Sequence, residues 1–186
     1  MIEGCLRREE QAFRELFEAL FPILMPVCMR YAAREEEARS YLNTGFLKIL
    51  KKLKKYRAEG SFEGWCKRVL VNSIIDEKRK SKRYTDRIEL AGPEDLTTLA
   101  NQQSRNWDPD AFTSDDIYAC IRRLPELTAA VFNLYAVDGY QHKEIAQMLG
   151  IGLSASKWHY ASAKRQLRQM LEAMDREPTR QHEDRL

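Results

Sequence analysis

No apolar run in the 186 residues approaches the roughly 20 residues of a membrane span. The opening residues, MIEGCLRREEQAF, have no signal-peptide core. Both absences lead us to expect a cytoplasmic chain. Cysteine is scarce and scattered. Cys5, Cys28, Cys66 and Cys120 lie far apart, with no CxxC and no neighbouring Cys/His ligand spacing. That argues against zinc and against disulfides, and for buried free thiols. The three histidines are as dispersed, with His142 and His159 standing 17 residues apart on two different periodic segments. HExxH, GxSxG, P-loop and GxGxxG motifs are all missing. No residue is therefore nominated as catalytic, and neither a metal nor a cofactor is expected.

What is present is charge, segregated along the chain. A net charge of +3 conceals the segment from Lys48 to Arg57, with six positive charges and no negative one. Lys67 to Arg87 carries eight positive against three negative, and from Ile88 to Asp116 seven acidic residues face Arg105 alone. Solvated helix faces joined by a polar connector explain this pattern. So does a nucleic-acid binder whose two basic parts are separated by an acidic link.

Apolar periodicity near 3.6 dominates, so the expected fold is all-α. Arg8 to Leu20 reads as an amphipathic helix, and Pro22 suits the first turn of a second one. A longer helix is expected from Glu36 to Leu53, with Ala38, Leu42, Phe46, Ile49 and Leu53 as its apolar stripe. Ala58 to Gly60 breaks it, and Ser61 can cap a fourth helix, roughly Phe62 to Ser81. There Phe62, Trp65, Cys66, Val69, Leu70 and Ser73 form a core face, and Trp65, Asn72 and Arg79 line up along one edge beside Arg68. Core packing is the plainer reading of Trp65. The amide and the two guanidinium groups exceed what a core requires and suit phosphates and bases.

From about Ile88 to Thr113 no period is sustained, and Asp108-Pro109 opposes helix, so this stretch reads as a linker. Ser114 is the expected cap of the next helix, Leu124-Pro125 ends it, and Leu127 to Ala136 forms another, stopped at Gly139. His142 to Leu167 then reads as two helices around Gly150-Ile151-Gly152. Tyr160, Ala163, Leu167 and Leu171 are the expected buried stripe of the second, with Lys157, Trp158, Lys164, Arg165 and Arg168 largely off it. This fits a helix–turn–helix that reads DNA. It equally fits a structural α-hairpin with a basic surface.

Taken together, the two halves resemble bacterial RNA polymerase sigma factors of the extracytoplasmic-function type, in the sigma-70 family. The first half carries the F-x-x-W…N-x-x-x-D-x-x-R pattern at Phe62, Trp65, Asn72, Asp76 and Arg79. The second carries L-P…V-F…E-I-A-x-x-L-G-I at Leu124, Pro125, Val131, Phe132, Glu144, Ile145, Ala146, Leu149, Gly150 and Ile151. The resemblance implies two small helical domains. Residues 1–87 would be sigma region 2, 88–113 an acidic flexible linker, 114–175 sigma region 4 and 176–186 a polar tail.

It further implies a non-enzymatic specificity subunit that binds the polymerase core and promoter DNA, with an anti-sigma factor as a further partner. The −10 element would meet Arg68, Asn72, Arg79 and Lys80, with the loop Tyr56 to Ser61. The −35 element would meet Ser154, Lys157, Trp158, His159, Lys164, Arg165 and Arg168. Polymerase would meet Ala38, Tyr41, Leu42, Asn43 and Phe46.

Several positions depart from the family pattern. Arg39, Asn43 and Thr44 stand where acids and a glutamine are usual. Gln141 replaces a serine cap, at an expected cost of about 0.5–2 kcal/mol. Ala155-Ser156 replaces Thr-Val, and Ser162 replaces an arginine. A stand-alone helix–turn–helix regulator and an anti-sigma or scaffold protein remain the alternatives.

Overall fold

The computed structural model describes residues 1–80 and 112–175. The expected linker (apart from Phe112 and Thr113) and the expected polar tail lie outside the described residues. The described elements are all helical, and the chain divides into two units, Met1–Asp86 and Arg87–Leu186.

The first unit begins with the short α1 (Ile2–Leu6) and the long α2 (Glu10–Tyr31), followed by α3 (Glu35–Lys52) and α4 (Phe62–Lys80). A single 3-10 turn, Leu53–Lys55, closes α3. The expected break before Pro22 does not occur: α2 runs unbroken through Pro22 and Pro26. Four residues apart, the prolines share one helix face, and both are exposed. The carbonyls that lose their N–H partners can thus turn to water, while Leu16, Leu20, Leu24, Val27 and Tyr31 bury the opposite stripe.

Each of the next two helices carries acid in its first turn and base in its last, complementing its dipole: Glu35–Glu37 with Lys51 and Lys52 on α3, Glu63 with Lys78–Lys80 on α4. Helices α3 and α4 cross closely at Gly45, where an added Cβ would collide with Leu70 Cδ1. Ser61 caps α4 as expected, its Oγ accepting from Gly64 N at 3.0 Å.

In the second unit, α5 (Ser114–Arg123) is capped by Thr113 rather than Ser114. Thr113 Oγ1 accepts from Asp116 N at 3.2 Å, and Asp116 Oδ2 accepts from Thr113 N at 3.0 Å. The reciprocal box needs an acid three residues on, which Thr113 has in Asp116. The Thr113 hydroxyl, donating to Asp116 Oδ2 at 2.6 Å, and then the Thr113 backbone N–H hold the Asp116 carboxyl below its ordinary pKa. Next come α6 (Glu126–Phe132) and a π-helical turn (Asn133–Val137), where one continuous helix to Ala136 was expected. Then follow α7 (His142–Leu149) and α8 (Leu153–Asp175). Cys120, Ile121, Leu124, Ala163, Leu167 and Leu171 form the core between α5 and α8.

All four cysteines are free and buried. Burial pushes the Cys28 and Cys66 thiols up to about 12 and raises Cys5 as well.

Candidate nucleic-acid interface

Helix α4 turns Cys66, Val69, Leu70, Ser73 and Ile74 inward. The same rotation leaves Arg68, Asn72, Arg79 and Lys80 exposed, as the spacing predicts. Asp76, on the same helix, lies 3.7 Å from Lys48 of α3, a partly exposed pair that contributes little to holding the two helices together. Trp65 is neither core nor free surface. It stacks on Phe62 with centroids 5.9 Å apart and lies 5.3 Å from the Tyr56 ring. Tyr56 meets Phe62 edge-on at 5.1 Å and donates its hydroxyl to Gly60 O at 3.0 Å, tying down the loop before α4. The result is a half-exposed aromatic triad at the start of a basic helix edge. Spacing along α4 reveals Phe62 and Trp65, but Tyr56 joins them only through the loop, which periodicity does not register.

The α3 surface requires a correction. Ala38, Tyr41, Leu42 and Phe46 are all buried, so of the residues assigned to polymerase only Asn43 is exposed. Ala38, Leu42 and Phe46 were read both as the apolar stripe and as the contact face, and one side of a helix cannot be both. Tyr41 instead donates to Glu37 Oε1 and packs its ring beneath Lys78 Nζ of α4, 5.9 Å from the centroid. The outward face consists of Glu36, Arg39, Ser40, Asn43 and Leu47. Leu47, 57% exposed, is the apolar residue of that face.

In the second unit α7 and α8 are joined through Gly150 in the left-handed conformation (φ 70), Ile151 and Gly152. Ile151 N donates to Ala146 O at 3.0 Å, tightening the turn. Gln141 still supports the box at the start of α7, since Gln141 N donates to Glu144 Oε2 at 2.7 Å. On α8, Ser154, Lys157, Lys164 and Arg165 are exposed, and Trp158 and Arg168 are half-buried.

His159 is not on that face, contrary to expectation. It is 3% exposed, its Nδ1 3.0 Å from Thr128 Oγ1 of α6. The true buried stripe of α8 is Ser156, His159, Ala163, Leu167 and Leu171, which follows helical spacing with polar residues in its first two places, and Ser162 is buried beside it, its Oγ accepting from Gln166 Nε2 at 3.0 Å. Hydrogen bonding makes this possible: His142 Nδ1 lies 2.9 Å from Ser156 Oγ, so both polar positions have partners on facing helices. A hydrophobicity pattern cannot recognise such a stripe, and it nominated Tyr160 instead. Tyr160 is half-buried among Phe132, Tyr135 and His142, with Lys164 Nζ 5.0 Å from its ring centre. Burial lowers the pKa of His159, and burial with the nearby Lys157 charge lowers that of His142.

Two family models match where these surfaces lie: sigma-70 region 2 over residues 16–84 and sigma-70 region 4 over 114–175. RNA polymerase sigma factor SigZ of Bacillus subtilis is 30% identical over 127 residues, 68% of each chain. The chain belongs to the sigma-70 family. Its relatives include the extracytoplasmic-function (ECF) sigma factor SigW of Bacillus subtilis, 25% identical over 91% of this sigma factor and 94% of SigW. ECF sigma factor SigE of Mycolicibacterium smegmatis is 26% identical over 76% of this chain, which spans 54% of SigE. Both regions in order, with these relatives, make it a sigma factor of the ECF type. Among solved structures the sigma factor RpoE of Bartonella quintana, in complex with the anti-sigma factor NepR, shares the fold. Its TM-score is 0.51 at 15% identity, covering 87% of this sigma factor and 98% of RpoE.

Proposed function

We propose that this sigma factor gives a bacterial core polymerase its promoter specificity in the cytoplasm, as a binding subunit without catalysis of its own. The first unit (residues 1–87) engages the polymerase through the outward face of α3, with Asn43 and Leu47 at its centre. It holds the opened −10 strand along Arg68, Asn72, Arg79 and Lys80. The second unit (114–175) places α8 in the −35 major groove, where Ser154, Lys157 and Trp158 reach bases and Lys164, Arg165 and Arg168 meet phosphates. Residues 88–113 connect them.

The observation that carries this reading is one edge of α4 on which exposed Arg68, Asn72 and Arg79 continue from the half-exposed rings of Tyr56, Phe62 and Trp65, with Lys80 exposed at the helix end. Cations take phosphates, and open aromatic faces accept unpaired bases, each stack contributing about 1–3 kcal/mol. A duplex-reading regulator needs no such platform. The NepR complex of RpoE supports an anti-sigma partner for this chain too. The test is transcription: the purified chain added to core polymerase should start RNA at a specific promoter. Specific repression or activation without any change in start site would favour the stand-alone regulator.

A further inference from the structure

Helix α8 is pinned to its neighbours by two imidazole–hydroxyl bridges. His159 reaches α6 at Thr128, and His142 of α7 reaches back to Ser156. We propose that His159 is a positioning residue for the reading helix, and that promoter binding by the second unit is consequently lost in mild acid as this imidazole takes up a proton. This rests on the reading of α8 as the −35 helix.

His159 stands between Trp158, which meets its ring edge-on at 4.8 Å, and Tyr160. A shift of its backbone therefore moves the base-reading turn itself. Its ring is buried, and its hydrogen-bond partner is a neutral hydroxyl, which cannot balance an imidazolium charge. The surrounding elements bring few charges toward it. Helix α6 has one ionisable side chain, Glu126, two residues before Thr128. Besides His142, α7 has Lys143 and Glu144, both exposed. Helix α5 contributes Asp115, Asp116, Tyr118, Arg122 and Arg123, and it packs on the Ala163–Leu171 portion of α8. On α8 itself Lys157 and Lys164 are exposed cations that oppose further positive charge.

Burial alone lowers the His159 pKa, so the folded helix keeps it neutral. Above its ordinary pKa of 6.5 the ring is neutral whether or not α8 is seated, and the seating is fully stable. As pH falls below that value the displaced state binds the proton first. Stability is then lost down to the folded-state pKa. His142 is the weaker sensor. Burial first and the Lys157 charge second lower its pKa, but it is half-exposed and stacks on Tyr135 at 4.3 Å, a ring face that tolerates a cation.

The sign separates this from ordinary behaviour. Histidines on a DNA-binding surface strengthen binding as they charge, whereas here acid weakens it. The experiment follows binding of the full chain, at low salt, to a duplex recovered by holoenzyme selection from randomised −35 DNA. Measurements run from about pH 7.5 to about pH 5.5, bracketing the free-histidine value. Wild-type affinity should fall by up to about tenfold per pH unit below about 6.5, the limit for one linked proton. His159→Asn, whose amide takes the place of Nδ1 and can bond Thr128 but never charges, should bind at neutral pH with the same base preference and lose most of that fall. His142→Gln should keep most of it.

Wild-type affinity that stays level or rises in acid overturns the proposal, as does a His159→Asn variant with the full wild-type fall. NMR titration of the His159 ring in the wild-type chain keeps the claim testable if the variant does not fold. A midpoint well below 6.5 supports it, and one at or above 6.5 overturns it. If no selected duplex is bound at any pH, the −35 reading fails, and the ring titration still decides the state of His159.

Discussion

Ser73 shows at the scale of one side chain how far a pattern can be read. Spacing put it on the α4 core face, and it is 1% exposed, with its Oγ lacking a partner among the described residues. A buried hydroxyl without a partner costs about 1–3 kcal/mol. Ser73→Ala is therefore expected to raise the thermal midpoint of the first unit, read by scanning calorimetry; a lowered midpoint would count against the assignment. Asn72 and Arg79 were equally legible, because exposure on a helix follows from the burial of its other face. Asn72→Ala and Arg79→Ala should impair promoter opening more than initial −35 capture, measured by permanganate reactivity of unpaired thymines. Normal opening by both variants, with core binding intact, would remove this edge from the −10 site. His159 was not legible: its burial depends on a hydroxyl 31 residues away, and nothing local announces Thr128 as its partner.

At the scale of the element, propensity misled at α2 and packing decided. Proline at two interior positions predicts a break, yet the apolar stripe runs from Ala12 to Tyr31 without interruption. The helix forms because tertiary burial outweighs the local penalty. That penalty is still present, so Pro22→Ala should stabilise the first unit by up to about 3 kcal/mol, seen as a higher midpoint in urea. Gly45→Ala should do the reverse. Leu70 is fully buried and cannot yield to a new methyl, so about 1–3 kcal/mol of overpacking is expected where α3 crosses α4. The two helices of the helix–turn–helix were placed correctly from Ile145, Leu149 and the glycine turn, but the rotation of α8 was not. Its buried stripe begins with Ser156 and His159, and a hydrophobic count passes over both. On the reading helix, Trp158→Ala should alter which −35 bases are preferred, at about 1–3 kcal/mol per lost contact, in a selection on randomised DNA. Arg165→Ala should weaken all sequences alike and flatten the salt slope.

For the whole molecule, the two-part helical organisation was the most legible feature, since it rests on many residues at once: two periodic parts, the first of them basic, either side of an aperiodic acidic stretch. Each part has one small surface proposed to read DNA. The free chain is accordingly expected to bind promoter duplex weakly at physiological salt and to become specific only with core polymerase. Footprinting with and without core measures this, and a tight, specific footprint by the chain alone would favour the stand-alone regulator.

The four buried cysteines bear on how a cell could address this factor. Attack on peroxide, on an electrophile or on another disulfide requires thiolate, and burial holds Cys28 and Cys66 in the protonated form throughout the physiological range. Cys5 is shifted the same way, and Cys120 is enclosed beside Met174, its Sγ 3.7 Å from the thioether sulfur. The four thiols of the native chain are therefore shielded from oxidants by their burial. Alkylation by iodoacetamide should be slow until the protein is denatured, when all four sites react. An oxidative alarm addressed to cysteine has to be heard by some other protein first.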